Sequence, residues 1–198
     1  MKAAIQELMD DHEVIVRMLT VLRGMCLRLS EGGRVEAADL DAALDFIKTY
    51  ADYTHHGKEE DLLFPAMEDA GFPREAGPVG VMLIEHKQGR EYVAALSRAA
   101  ASLKAGESSA AKEVMRAATG YEQLLTSHIH KENNILYPMA MDAVREPVWR
   151  KLTEEFARVE AERMGPAKRA AYEKLIERLG VAYPAPAAAP GPVGPFCH

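Results

Sequence analysis

Cysteine is nearly absent from this chain of 198 residues. There are two, Cys26 and Cys197. One falls on an apolar helical stripe and the other in a proline-rich terminal stretch, so they make no disulfide framework, and a reducing cytoplasm is the default expectation. Basic charge is also short. Lys and Arg number 24 against 30 Asp and Glu, a formal net charge of −6. That excludes the clustered basic face a nucleic-acid binder needs. No apolar run is long enough to span a bilayer. The first ten residues carry one positive charge but no apolar core, so they do not read as a secretory signal. Strand-like alternation is missing as well. What is plentiful is hydrophobic residues, 48% of the chain, set at helical spacing.

The spacing predicts an all-α chain. A first helix runs from about 3 to 29, with Ile5, Leu8, His12, Ile15, Leu19, Leu22, Cys26 and Leu29 on one face. A second spans about 37 to 69, carrying Leu40, Leu44, Ile47, Ala51, His55, Glu59, Leu62 and Ala66. A third starts near Pro78 and ends at Gly106. A fourth follows Ser108 and Ser109 as candidate caps. Short links favour an up-down-up-down four-helix bundle over 1–145. A helical hairpin at 146–182 turns at Gly165 and Pro166 and is expected to pack on the bundle, though it also suits a homodimer contact or a protein partner. Residues 183–198, rich in Pro and Ala, are expected to form a flexible tail.

The chain also repeats itself. His-His-Gly-Lys-Glu-Glu-Asp-Leu-Leu-Phe-Pro at 55–65 returns as His-Ile-His-Lys-Glu-Asn-Asn-Ile-Leu-Tyr-Pro at 128–138. His55 aligns with His128, Lys58 with Lys131, Glu59 with Glu132 and Pro65 with Pro138. Asp11-His12 and Glu85-His86 form a second pair at nearly the same offset. Each half therefore supplies one lone His and one His-x-x-x-Glu.

Four His, namely His12, His55, His86 and His128, sit on the apolar stripes, one per bundle helix. Glu59 and Glu132 are four residues after His55 and His128, so each pair shares a face. By the same geometry His56 is ~100° round the helix from His55 and His130 is ~200° from His128, off the stripes. A lone His on an apolar face is usually a hydrogen-bonded core residue. Two buried carboxylates are another matter, because each needs a cation or a shifted pKa. No Lys or Arg shares the stripes, and Arg90 is the one nearby counter-ion candidate. The six residues His12, His55, Glu59, His86, His128 and Glu132 are thus the candidate metal ligands. Imidazole with carboxylate suits iron, manganese or zinc. The expected pairing is His12 with His55 and His86 with His128, with both Glu between the ions. Asp11 and Glu85 either accept hydrogen bonds from ligand His or face solvent. His56, Glu60 and Glu85 are left open as further ligands. Gly89, one turn from His86, either leaves a void for a small ligand or allows close helix packing. Tyr121 reads as core rather than as a redox group.

These residues resemble the hemerythrin-like, or HHE cation-binding, family. The carriers are Asp11-His12-Glu13, His55-x-x-x-Glu59 with Leu-Phe-Pro following, Glu85-His86-x-x-Gly89-Arg90, and His128-x-x-x-Glu132 with Leu-Tyr-Pro following. The resemblance spans roughly residues 5–142. It implies a four-helix bundle around a non-haem di-iron centre bridged by oxo, hydroxo or water. Oxygen-carrying members place a second His where this chain has Arg90. The four-His, two-Glu order looks closer to the di-iron domains of iron–sulfur repair proteins and of an iron-sensing ubiquitin-ligase subunit. The expected function is binding or sensing of oxygen, nitric oxide or peroxide. The alternatives are an enzyme that turns over such ligands or repairs iron–sulfur centres, and a purely structural metal bundle.

Overall fold

A computed structural model describes residues 1–107 and 109–185. Among them there is no strand. We number six helices: α1 (Ala3–Ser30), α2 (37–69), α3 (Gly77–Lys104), α4 (110–143), α5 (Glu146–Arg163) and α6 (Gly165–Ala182). The first four form the expected bundle, with α3 and α4 in the most extensive contact. No helix is long and apolar enough to cross a membrane among the described residues. Ser108 lies outside the described residues, and Ser109 makes no side-chain cap.

Two of the bundle helices are not uniformly α-helical. In α2, Ile47–His56 and Glu59–Leu63 wind as π-helix, and in α4 Glu132–Leu136 does the same. The short π turns have a local cause. Pro65 and Pro138 have no N–H to offer an i−4 carbonyl. One residue earlier, the N–H of Phe64 reaches back to the Glu59 carbonyl and that of Tyr137 to the Glu132 carbonyl, i→i−5 bonds that absorb the mismatch. The repeated Glu-x-x-x-Leu-aromatic-Pro stretch thus fixes a repeated backbone irregularity, and each one begins at a buried carboxylate.

The apolar core falls into two clusters. One gathers Ile15, Met18, Leu22, Ile47, Leu96, Tyr121 and Leu125 with Tyr172, Ile176 and Leu179 of α6. The other gathers Ile5, Leu8, Leu63, Phe64, Leu136 and Tyr137 with Trp149, Leu152 and Phe156 of α5. The hairpin therefore completes both ends of the core. Its turn is at Gly165, whose φ of +70° suits glycine. Of the stretch expected to be a flexible tail, 183–198, only residues 183–185 are among the described ones, and Tyr183 is packed. Tyr183 is buried, its hydroxyl donates to Asp39 Oδ2 at 2.8 Å, and its carbonyl packs where a Cβ on Gly24 would stand, 2.0 Å away. Residues 186–198, including Cys197 and His198, lie outside the described residues.

A charge network pins the hairpin to the bundle. Lys58 is wholly buried, which the stripe reading did not anticipate. Its Nζ donates to Glu7 Oε1 at 2.6 Å, Glu160 Oε2 at 2.9 Å and Asp11 Oδ2 at 3.3 Å. Burial works to lower the Lys58 pKa, but Asp11, Glu7 and Glu160 outweigh it and hold it raised. Removing one partner from such a buried group strands the others. Lys58→Met should therefore destabilise the fold by about 3 kcal/mol. For a chain of this size that is a drop in melting midpoint of roughly 6–12 °C, measurable by calorimetry. An unchanged midpoint would show that Asp11 and Glu160 do not depend on this cation.

Candidate metal centre

Between the two apolar clusters lies one polar layer. His12 sits between Leu8 and Ile15 on α1. His55 and Glu59 sit between Ala51 and Leu63 on α2. His86 lies between Met82 and Val93 on α3, and His128 with Glu132 between Leu125 and Leu136 on α4. All six sequence-predicted residues are at most 2% exposed. They divide into two groups whose donor atoms lie within 4.8 Å of one another: His12, His55 and Glu132; and His56, Glu59, His86 and His128. His12 thus meets His55, and His86 meets His128, as the spacing suggested. The added member is His56, one of the three residues left open as further ligands.

His56 was expected off the stripe, and that expectation fails for a geometric reason. Its helix is π-wound here, so successive residues are separated by less than ~100°. Both neighbouring rings then project inward. His56 is 4% exposed, and its ring stacks on His86 with centroids 3.9 Å apart. His130 remains exposed, as expected.

Four of the five buried imidazoles are anchored alike, through Nδ1. His86 Nδ1–H donates to Glu60 Oε1 at 2.7 Å, His12 Nδ1–H to the Asn133 carbonyl at 2.8 Å, His128 Nδ1–H to Glu85 Oε2 at 3.0 Å and His56 Nδ1–H to Asp52 Oδ1 at 3.3 Å. His55 Nδ1 faces Asp11 Oδ2 at 3.5 Å, a contact rather than a full hydrogen bond. Carboxylates only accept, so they place the proton on Nδ1 and leave Nε2 with its lone pair. Those lone pairs face each other and the two carboxylates. His86 Nε2 and His128 Nε2 are 3.1 Å apart, His12 Nε2 is 3.1 Å from Glu132 Oε2, and His128 Nε2 is 3.1 Å from Glu132 Oε1. Asp11 and Glu85 thus face ligand candidates, not solvent.

Converging lone pairs and carboxylates are an unstable arrangement without a cation. Burial and the neighbouring Glu132 push the Glu59 pKa well up. Glu132 is held low: burial opposes ionisation, but His128 and His12 outweigh it. Against its own burial, His128 is carried up to about 9 by Glu132 and Glu85. Burial takes His55 down to about 4. Protons thus stand in for missing positive charge. Even so, both His55 ring nitrogens, Glu59 Oε2 and both Glu132 oxygens have no hydrogen-bond partner. Buried polar atoms rarely stay unpaired. Neutral imidazole and carboxylate are the donors that iron, manganese and zinc take, so the residues fit a pair of metal ions.

The repeat in sequence is a repeat in space. His12 and His86, His55 and His128, and Asp11 and Glu85 play matching parts. Glu60 and Asn133 hold equivalent rings. Lys58 donates to Asp11 as Lys131 does to Glu85. Phe64 stacks near His86 and Tyr137 near His12. The match breaks at two places. His56 has Ile129 as its counterpart. Phe64 lacks the hydroxyl that Tyr137 donates to Glu59 Oε1 at 2.8 Å. Sequence reading noted the Phe–Tyr exchange but not its contact.

Beside the second group a cavity of about 400 Å³ reaches from the surface to His56 and His86. Gly89, Val93, Ala94 and Tyr121 wall it, and Lys48, Asp52 and Arg90 stand toward solvent. A Cβ on Gly89 would meet Tyr121 no closer than 3.8 Å, so close packing does not demand glycine there. Arg90 does not neutralise Glu59 or Glu132. It binds Asp52 Oδ1 at 2.8 Å and Glu60 Oε1 at 2.7 Å instead.

The chain is 23% identical over 174 residues to uncharacterized proteins of Mycobacterium tuberculosis and Mycobacterium bovis, covering 88% of this chain and 66% of theirs. It is 31% identical over 109 residues to an iron-sulfur cluster repair protein of Yersinia pseudotuberculosis, 53% of this chain and 46% of that protein. The chain thus spans just under two thirds of the mycobacterial relatives' length. No solved structure matches it. A family model for the hemerythrin HHE cation-binding domain matches residues 3–140, which takes in all four bundle helices and every residue of the polar layer. With that span and that layer, the chain belongs to the hemerythrin HHE cation-binding domain family.

Proposed function

We propose that the polar layer holds two iron ions and binds or senses a small ligand such as oxygen, nitric oxide or peroxide. His12, His55 and Glu132 hold one ion. His56, His86, His128 and Glu59 hold the other. One observation supports this above the rest. Four of the five buried imidazoles have Nδ1 anchored outward by a hydrogen bond, and the layer they face holds two carboxylates with three oxygens that lack partners. That is how His ligands are oriented by the groups around them. Iron bound there would supply reversible ligand binding and electron transfer. The chain's own residues do the rest. Apolar clusters above and below exclude water. Tyr137, its pKa pushed well up by burial and by Glu132 and Glu59, keeps its proton and donates it in a hydrogen bond to Glu59.

The cavity at His56 and His86 supports ligand access from one side. The likeness to an iron-sulfur cluster repair protein supports a second reading, an enzyme working on damaged iron centres or turning over peroxide or nitric oxide. Turnover separates the two. A binder changes its spectrum stoichiometrically and reversibly; an enzyme consumes more than one equivalent per site.

Metal content of anaerobically purified protein checks the ligand set. Glu59→Ala and Glu132→Ala should each lose metal sharply, and His130→Ala should lose none. His56→Ala should weaken one of the two sites at least as much as loss of a ligand's supporting partner does, about 10–100-fold. Full metal retention in His56→Ala would exclude it as a ligand. Zinc in place of iron, with no response to air, would leave only a structural metal bundle.

Access is checked at Gly89. Gly89→Ala should fold and load metal normally, since the added methyl meets only ordinary contacts. Gly89→Leu fills the cavity and should slow nitric oxide binding to the iron-loaded protein about tenfold or more, equivalent to ~1.4 kcal/mol of barrier. Unchanged stopped-flow rates would mean that ligands enter elsewhere.

A further inference from the structure

The hairpin α5–α6 lies outside the span matched by the family, residues 3–140. It nevertheless reaches the polar layer. We propose that Arg169 of α6 is a positioning residue of the metal centre: it fixes Asp11 beneath His55, so docking of the hairpin and metal affinity at the His12–His55–Glu132 group are coupled. This inference rests on the metal reading above.

Asp11 is 1% exposed and its two oxygens have separate duties. Oδ1 accepts from Arg169 Nη2 at 2.9 Å and from the Tyr50 hydroxyl at 3.0 Å. Oδ2 accepts from Lys58 Nζ at 3.3 Å and faces His55 Nδ1. Arg169 is itself held at two further points, by Glu160 Oε1 at 2.8 Å and by the Tyr50 hydroxyl at 2.5 Å. A guanidinium anchored three ways holds its donors in place, so Nη2 directly and Nη1 through the Tyr50 hydroxyl both fix Asp11 Oδ1. Without Arg169, Asp11 keeps Lys58 and the Tyr50 hydroxyl, but Oδ1 loses its charged donor and that hydroxyl loses the guanidinium that holds it. Asp11 can then turn, and Oδ2 leaves His55. An imidazole that loses its acceptor loses its fixed tautomer and aim.

The other half of the site provides the contrast. His128 relies on Glu85, and Glu85 is met by Lys131, whose side chain is 30% exposed. Among the described residues no guanidinium reaches Glu85. The hairpin should therefore matter to one metal position and not to the other. Coupling is reciprocal: if docking strengthens metal binding, metal strengthens docking.

The test is anaerobic iron(II) titration of the full chain against a competing chelator, with Mössbauer spectra of the loaded protein. Arg169→Gln should weaken one of the two sites about 10–100-fold, leave the second in place, and shift the signal of one iron. Arg169→Lys should restore part of the loss. Arg178→Gln is the control, because Arg178 ties the same helix to Asp39 Oδ1 at 2.7 Å through a half-exposed side chain. It should change neither site. Unchanged affinities in Arg169→Gln, equal weakening of both sites, or the same loss in Arg178→Gln would each overturn the inference. If Arg169→Gln does not fold, hydrogen exchange of the wild type decides. Amides of Gly165–Ala182 should exchange more slowly with iron than without it, and unchanged protection would overturn the coupling. A wild-type chain that takes up no metal would defeat the metal reading itself, and this inference with it.

Discussion

Two carboxylates buried side by side set the terms for the rest of this structure. Glu59 and Glu132 are wholly inaccessible, with no Lys or Arg paired to either one among the described residues. An uncompensated buried charge costs several kcal/mol, far more than most single interactions return. Lys58 and Arg169, which approach the layer, are engaged by Asp11 and Glu160 instead. Protonation of Glu59 and His128 is a partial remedy, since it leaves several oxygens without partners. Multivalent cations remove the repulsion, use the five inward lone pairs, and need no proton. The outward acceptors make sense only in that setting. Each one withholds Nδ1 from the interior so that Nε2 must face the carboxylates.

The duplicated sequence gives this centre its economy. One design, a lone His followed on the next helix by His-x-x-x-Glu, is used twice around an approximate two-fold axis. Even the outer partners follow, since Asp11 and Glu85, or Lys58 and Lys131, act in equivalent places. The departures from symmetry are then the informative positions. His56 in place of Ile129 makes one group richer in imidazole. Tyr137 in place of Phe64 gives one carboxylate a donor that the other lacks. The two metal positions are therefore chemically unlike, and the cavity touches only the His56 side.

Much of this was legible in the residues. Helical stripes located the four bundle helices, and the stripes carried the six candidate ligands because a buried polar residue interrupts an otherwise apolar pattern. His56 escaped because a 3.6-residue wheel assumes an α-helix, and here the chain winds wider. The only local sign was the repeated proline, whose missing N–H gives the later π turns their cause but not the longer one at Ile47–His56. Lys58 escaped for a different reason. Its repetition as Lys131 was visible, but its burial depends on Glu160 and Asp11, which the fold alone brings together. Tyr183 looked like the start of a tail because no periodicity marks a residue that packs against the glycine of a distant helix.

Arg90 shows how access and coordination are joined. It stands at the solvent side of the cavity. There it bridges Asp52 and Glu60, the acceptors that orient His56 and His86 respectively. Its side chain is 44% exposed, so each of these ion pairs contributes only about 0–1 kcal/mol. A weak clasp at the surface is therefore linked, one residue further in, to two imidazoles of the same group. A ligand entering the cavity has little to overcome in moving Arg90, and any movement of Arg90 is felt by the acceptors of both rings. The apolar clusters above and below the layer have no such give, because their side chains are packed and wholly buried. Rigidity along the bundle axis and compliance at one flank together favour that flank as the way in for the ligand proposed above.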